Sequence, residues 1–155
     1  LFISQGTIGE SLSKFAIEAK NHPEINYDVV YKLHPAEYNR WQQEYPWLVD
    51  SGVEVVASSE PSLYQLFSNS SVQVGVGSTA IFEGLCFDLE TYIYDISGSS
   101  VLEPLVENET AEVIVSVDQL AAAIGTSKNS FDKEYYFSSN ATKNICDQIS
   151  RLAYE

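Results

Sequence analysis

The feature that most constrains the fold is an alternation. Short runs rich in Val, Ile and Tyr are followed repeatedly by segments with helical spacing, and Gly, Ser or Pro marks the junctions. The opening run Leu1–Ser4 ends at Gln5-Gly6-Thr7, after which Leu12, Phe15, Ala16 and Ala19 recur on one helix face. His22-Pro23 closes that helix, because a proline disfavours helical geometry in the residue before it. Further strands are expected at 27–33, 53–57, 72–76, 91–95 and 111–115. Between them the pattern gives a short helix within 36–48, closed before Pro46. Another carries Leu63, Leu66 and Phe67 behind a cap at Ser59 or Ser62. Others are expected at 80–87 with Ile81 and Leu85 inward, at 117–124 ended by Gly125, and at 141–154 with Ile145, Ile149 and Leu152 in one stripe. Residues 96–108 read as loop, and 126–140 as a surface excursion. Strands alternating with helices pair in parallel through right-handed crossovers. The expected fold is α/β, a Rossmann-like doubly wound parallel sheet of about six strands with helices on both faces. Residues 1–155 would form it as a single domain.

Charge limits the partners. Eight Lys and Arg against 22 Asp and Glu give a net charge of −14, a field that repels nucleic acid and anionic lipid surfaces. No apolar run approaches the roughly 20 residues of a membrane-spanning helix. Cys86 and Cys146 have apolar neighbours and no metal-ligand spacing, so both are expected as reduced core residues, with no metal site. Asn-X-Ser/Thr triplets begin at Asn69, Asn108 and Asn140, yet Leu1-Phe2-Ile3 lacks the charged start of a signal peptide. The expected location is cytoplasmic, with any association with the inner face of a membrane made through the rest of a longer protein. A chain without methionine that opens inside a strand-like run is expected to be a piece of such a protein.

In an open parallel sheet, ligands bind beyond the carboxyl ends of the strands. Three marked loops fall there: Gln5-Gly6-Thr7, Lys32-Leu33-His34-Pro35 and Gly77-Ser78-Thr79. Hydroxyls and free amides at a helix start suit a phosphate, since the helix dipole adds about half a positive charge. Ser78 and Thr79 would hold phosphate, while Glu83, one turn on, has the reach for ribose hydroxyls. Lys32 and His34 would neutralise a departing phosphate, with His34 donating a hydrogen bond as charge builds up. Each residue also has a plainer reading. Gly6 permits a tight turn, His34 suits a surface turn before Pro35, Ser78 is an ordinary cap, and Glu83 is a solvated carboxylate.

The segments KLHPAE at 32–37 and VGVGSTAIFEGLCFDLETYIYD at 74–95 resemble the C-terminal domain of GT-B glycosyltransferases that build bacterial surface polysaccharides, including sialyl-, polysialyl- and glycerophosphotransferase-like enzymes. The resemblance implies a donor-binding half of a two-domain transferase of capsular or other surface polysaccharide. A nucleotide-sugar (CMP-, UDP- or GDP-linked) would be substrate, without a cofactor, and an N-terminal domain would supply the acceptor site. It assigns His34 the catalytic role. Gln5, Gly6, Thr7, Lys32, His34, Pro35, Gly77, Ser78, Thr79 and Glu83 would bind the donor. Thr79 stands where the family carries a second serine, and Lys32 where it often carries arginine. Alternatives are a domain of a UDP-N-acetylhexosamine 2-epimerase and a non-catalytic flavodoxin-like module.

Overall fold

The computed structural model describes residues 1–126 and 132–154. Its six strands, β1 (Phe2–Ile3), β2 (Val30–Lys32), β3 (Glu54–Val56), β4 (Val72–Gly75), β5 (Glu90–Tyr94) and β6 (Glu112–Ile114), form one sheet in the order β3-β2-β1-β4-β5-β6. Every pairing is parallel, with Phe2 opposite Tyr31 on one side and Val74 on the other. The chain therefore winds outward from β1 through β2 to β3, then crosses back to β4 and continues to β6. The loops after β1 and β4 lead to helices on opposite faces of the sheet at that reversal, the place where doubly wound sheets bind ligands.

Because successive strand residues face opposite sides, the sheet separates two cores. Phe2, Tyr31, Val74 and Tyr92 pack with Leu12, Phe15 and Ala16 of α1 (Gly9–Asn21) and Leu120 of α6 (Val117–Ala123). Leu1, Ile3, Val56 and Ile93 pack with Leu66 and Phe67 of α3 (Leu63–Ser68), Ile81 and Leu85 of α4 (Ala80–Leu85), and Leu105 of α5 (Glu103–Glu107). Each large side chain so buried contributes roughly 1.5–3 kcal/mol. Ser62, rather than Ser59, caps α3, accepting from the Gln65 amide in a reciprocal capping box.

Within 36–48 the expected short helix closed before Pro46 is α2 (Trp41–Glu44), flanked by 3-10 turns at Pro35–Glu37 and Pro46–Leu48. Pro46 drives Tyr45 out of helical geometry, to φ −126 and ψ 57. Three expectations are corrected. The supposed loop at 96–108 contains a 3-10 turn (Ser99–Leu102) running into α5, with Leu102 and Leu105 fully buried. Its Ser, Gly and Pro content masked two leucines at helical spacing. Cys86 and Cys146 are both exposed rather than in the core. At Cys86 the inward position belongs to Leu85, since a helix turns about 100° per residue. At Cys146 residues 141–153 of α8 (Ala141–Tyr154) stand in solvent, with Ile145, Ile149 and Leu152 at 58%, 61% and 74% exposure. Of the segment read as an excursion, residues 127–131 lie outside the described residues. The remainder includes α7 (Lys133–Tyr136), which docks through Tyr136: its ring lies 5.9 Å from that of Phe82, and its hydroxyl accepts from Asn108 Nδ2 at 3.1 Å. Among the described residues, no helix is long and apolar enough to cross a membrane.

Candidate functional site

The reversal of strand order brings the three marked loops together. Gln5 Oε1 accepts from the Gly77 amide at 2.8 Å, tying the loop after β1 to the loop after β4. On the other side, the His34 ring packs on Gly6, where an added Cβ would lie 3.4 Å from Nδ1. Gly6 has φ +79, a conformation that glycine adopts without strain. Gly77 in turn lies so close to the chain after β5 that an added Cβ would sit 2.4 Å from the Gly98 carbonyl oxygen. Gln5, Gly6, His34 and Gly77 thus form one contiguous edge.

His34 is held from below. Pro35 opens the 3-10 turn with its preset φ, His34 Nδ1 accepts from the Ala36 amide at 3.2 Å, and Glu37 Oε2 accepts from the His34 amide at 2.7 Å. The second oxygen, Oε1, accepts from the Tyr45 hydroxyl at 2.7 Å. Glu37 is fully buried. This carboxylate lies against the first turn of α1, where a Cβ on Gly9 would fall 2.1 Å from the Tyr45 hydroxyl and 2.6 Å from Glu37 Oε1. The Tyr31 hydroxyl reaches the same place, donating to the Gly9 carbonyl at 3.3 Å. Glu37 and Tyr45 were not among the expected site residues, although a Glu three residues after a cap is the capping-box spacing.

The remaining candidates divide. Thr7, Pro35 and Thr79 are exposed, and Ser78 is half-buried with its Oγ accepting from the Ala80 amide at 3.3 Å. Ile8 at the start of α1 makes no side-chain cap, and at α4 Thr79 makes none while Ser78 takes the Ala80 amide. The dipole expected at α4 is weak because that helix spans six residues, whereas α1 spans 13. Lys32 does not point at the shared edge. Its ammonium is buried, donating to the Tyr38 hydroxyl at 2.8 Å and to the Ser58 carbonyl beyond β3. Glu83 engages Tyr64 of α3, and that hydrogen bond raises the Tyr64 hydroxyl above its ordinary range. Arg40 is turned to the Ala36 carbonyl and to Glu44. No Lys or Arg occurs in the sequence between Arg40 and Lys128, so the loops after β4, β5 and β6 present an anion with amides and hydroxyls rather than a cationic side chain. His34 brings an imidazole to that edge.

Burial is the main cause that raises the hydroxyls of Tyr31, Tyr45 and Tyr92 well above the usual tyrosine range, and hydrogen bonds to Glu37 and Glu90 add to it at Tyr45 and Tyr92. The folded protein keeps these protons where the unfolded chain releases them. Their contribution is therefore complete below about pH 10 and is lost as pH rises above it. Urea unfolding between about pH 8 and about pH 11 should show a steady loss of stability above about pH 10. A flat profile would contradict this.

Among the described residues, no group of three or more His, Cys, Asp or Glu is placed to hold a metal ion. Comparison with known protein families, with curated proteins and with solved structures finds no match.

Proposed function

We propose that this domain binds the nucleotide part of a nucleotide-sugar donor for a glycosyltransferase of capsular or other surface polysaccharide. The observation that carries this reading is the meeting of Gly6, His34 and Gly77 at the point where a β3-β2-β1-β4-β5-β6 sheet reverses its strand order. The donor phosphate lies along this edge, taking the Gly77-Ser78-Thr79 loop, the start of α1 and the outer nitrogen of His34 as donors. As the sugar departs, charge accumulates on the nucleotide phosphate, and a hydrogen bond from His34 that strengthens with that charge lowers the barrier. Glu83 takes the ribose once Tyr64 gives way. Lys32 serves the site indirectly, by fixing β2 to the loop after β3. The acceptor and its general base belong to a partner domain, so this domain alone binds donor weakly and transfers nothing.

Titration of the 15N-labelled domain with CMP, UDP and GDP tests the reading. Shifts should concentrate in residues 5–7, 33–36 and 77–83. Shifts confined to other residues, or none with any of the three nucleotides, would sink it, as would measurable sugar transfer by this domain alone.

A further inference from the structure

We infer that Glu37 is a positioning residue that sets which nitrogen of His34 faces the ligand, so that the site presents an Nε2–H donor to a phosphate oxygen. The inference rests on the nucleotide reading above and adds to it a residue and a tautomer. In a neutral imidazole one nitrogen donates and the other accepts, and the partner of one fixes the role of the other. Here Nδ1 faces the Ala36 amide at 3.2 Å, and an amide offers only a proton. Nδ1 is therefore the acceptor and the ring proton sits on Nε2. That arrangement holds only while Ala36 keeps its amide aimed at the ring. The 3-10 turn does this, and Glu37 closes the turn by accepting the His34 amide on Oε2.

The carboxylate cannot drift from that position. It is fully buried, its other oxygen takes the Tyr45 hydroxyl, and Gly9 of α1 closes over it with no space for a side chain. A buried carboxylate is costly unless its oxygens are hydrogen-bonded. What these hydrogen bonds add is a fixed ring orientation, relative both to Gly6, on which the ring packs, and to the start of α1.

Two variants and a spectroscopic readout test this. Long-range 1H–15N correlation on the His22→Gln background leaves His34 as the only imidazole. At a pH where the ring is neutral, it should show a proton on Nε2 and a bare Nδ1. Glu37→Gln turns one acceptor oxygen into a donor group. It should mix the two tautomers and weaken CMP, UDP or GDP binding about tenfold, the scale of one lost hydrogen bond to a charged group. Tyr45→Phe removes the other bond of the same carboxylate and leaves its bond to the His34 amide. It should lower the melting temperature, with a smaller effect on tautomer and affinity than Glu37→Gln. If Tyr45→Phe weakens binding as much as Glu37→Gln at equal loss of stability, or if Glu37→Gln leaves the tautomer unchanged, Glu37 is structural only and the inference fails. If the native domain binds no nucleotide, the functional reading fails, and the tautomer measurement still decides the role of Glu37.

Discussion

Gly77→Ala is expected to weaken nucleotide binding roughly a hundredfold while the domain still folds, since misplacing a binding group by about 1 Å has effects of that order. The added methyl would lie 2.4 Å from the Gly98 carbonyl oxygen, a contact of backbone with backbone that no side-chain rotation relieves. Gly98 has φ +103 and starts the 3-10 turn that seats Leu102 in the core, so it resists being pushed aside. The loop after β4 must yield instead, and the Gly77 amide then leaves Gln5. Stability should fall by only about 1–3 kcal/mol, the usual cost of local overpacking. NMR titration and thermal unfolding of the same variant separate the two effects, and unchanged affinity would show that the Gly77 loop takes no part in binding.

Gly84→Val should cost about 3 kcal/mol or more, a larger loss of stability than at any loop position. In the wild type, α4 approaches β4 so closely that a Cβ on Gly84 would lie 2.1 Å from Gln73 Oε1. Gln73 has nowhere to retreat. It is fully buried, and its Nε2 donates to the Ile81 carbonyl and to Thr91 Oγ1, both at 2.9 Å. Moving it breaks two buried hydrogen bonds, and moving α4 strips Ile81 and Leu85 from their core. Urea denaturation should show a lower midpoint with an unchanged slope. A loss below about 1 kcal/mol would mean that α4 slides on the sheet without penalty.

The layered sheet was legible because its signal is local. Runs such as Val72–Val76 and Thr91–Asp95 are dominated by Val, Ile and Tyr, as strands covered on both faces are, and the first is followed by a turn and then a helical period. The loops were legible for the same reason, since Gly6, Pro35 and Gly77 mark strand ends in the sequence itself. Partnerships across the fold were not. Nothing near Lys32 announces that its ammonium is spent on a carbonyl 26 residues away, and nothing near Glu83 announces Tyr64. Cys86 looked buried because its neighbours are apolar, but composition cannot say which side of a helix meets the sheet. The segment at 96–108 failed because Gly98 and Pro104 spoke for a loop while Leu102 and Leu105 were too few to show a period.

The exposure of α8 has a thermodynamic consequence. Its 14 residues sit at the length where a helix in water is marginal, and propensity, with the spaced ion pair between Lys143 and Asp147, must sustain it while residues 141–153 bury no face. Hydrogen exchange should therefore divide the domain into two cooperative units. Amides in β1, β4 and β5 would open only with global unfolding, whereas those of α8 would exchange through fraying at a free energy near zero. Measured stability would then belong to the sheet and the helices packed on it. Adding or deleting α8 would leave the denaturation midpoint in place and change only the helical signal.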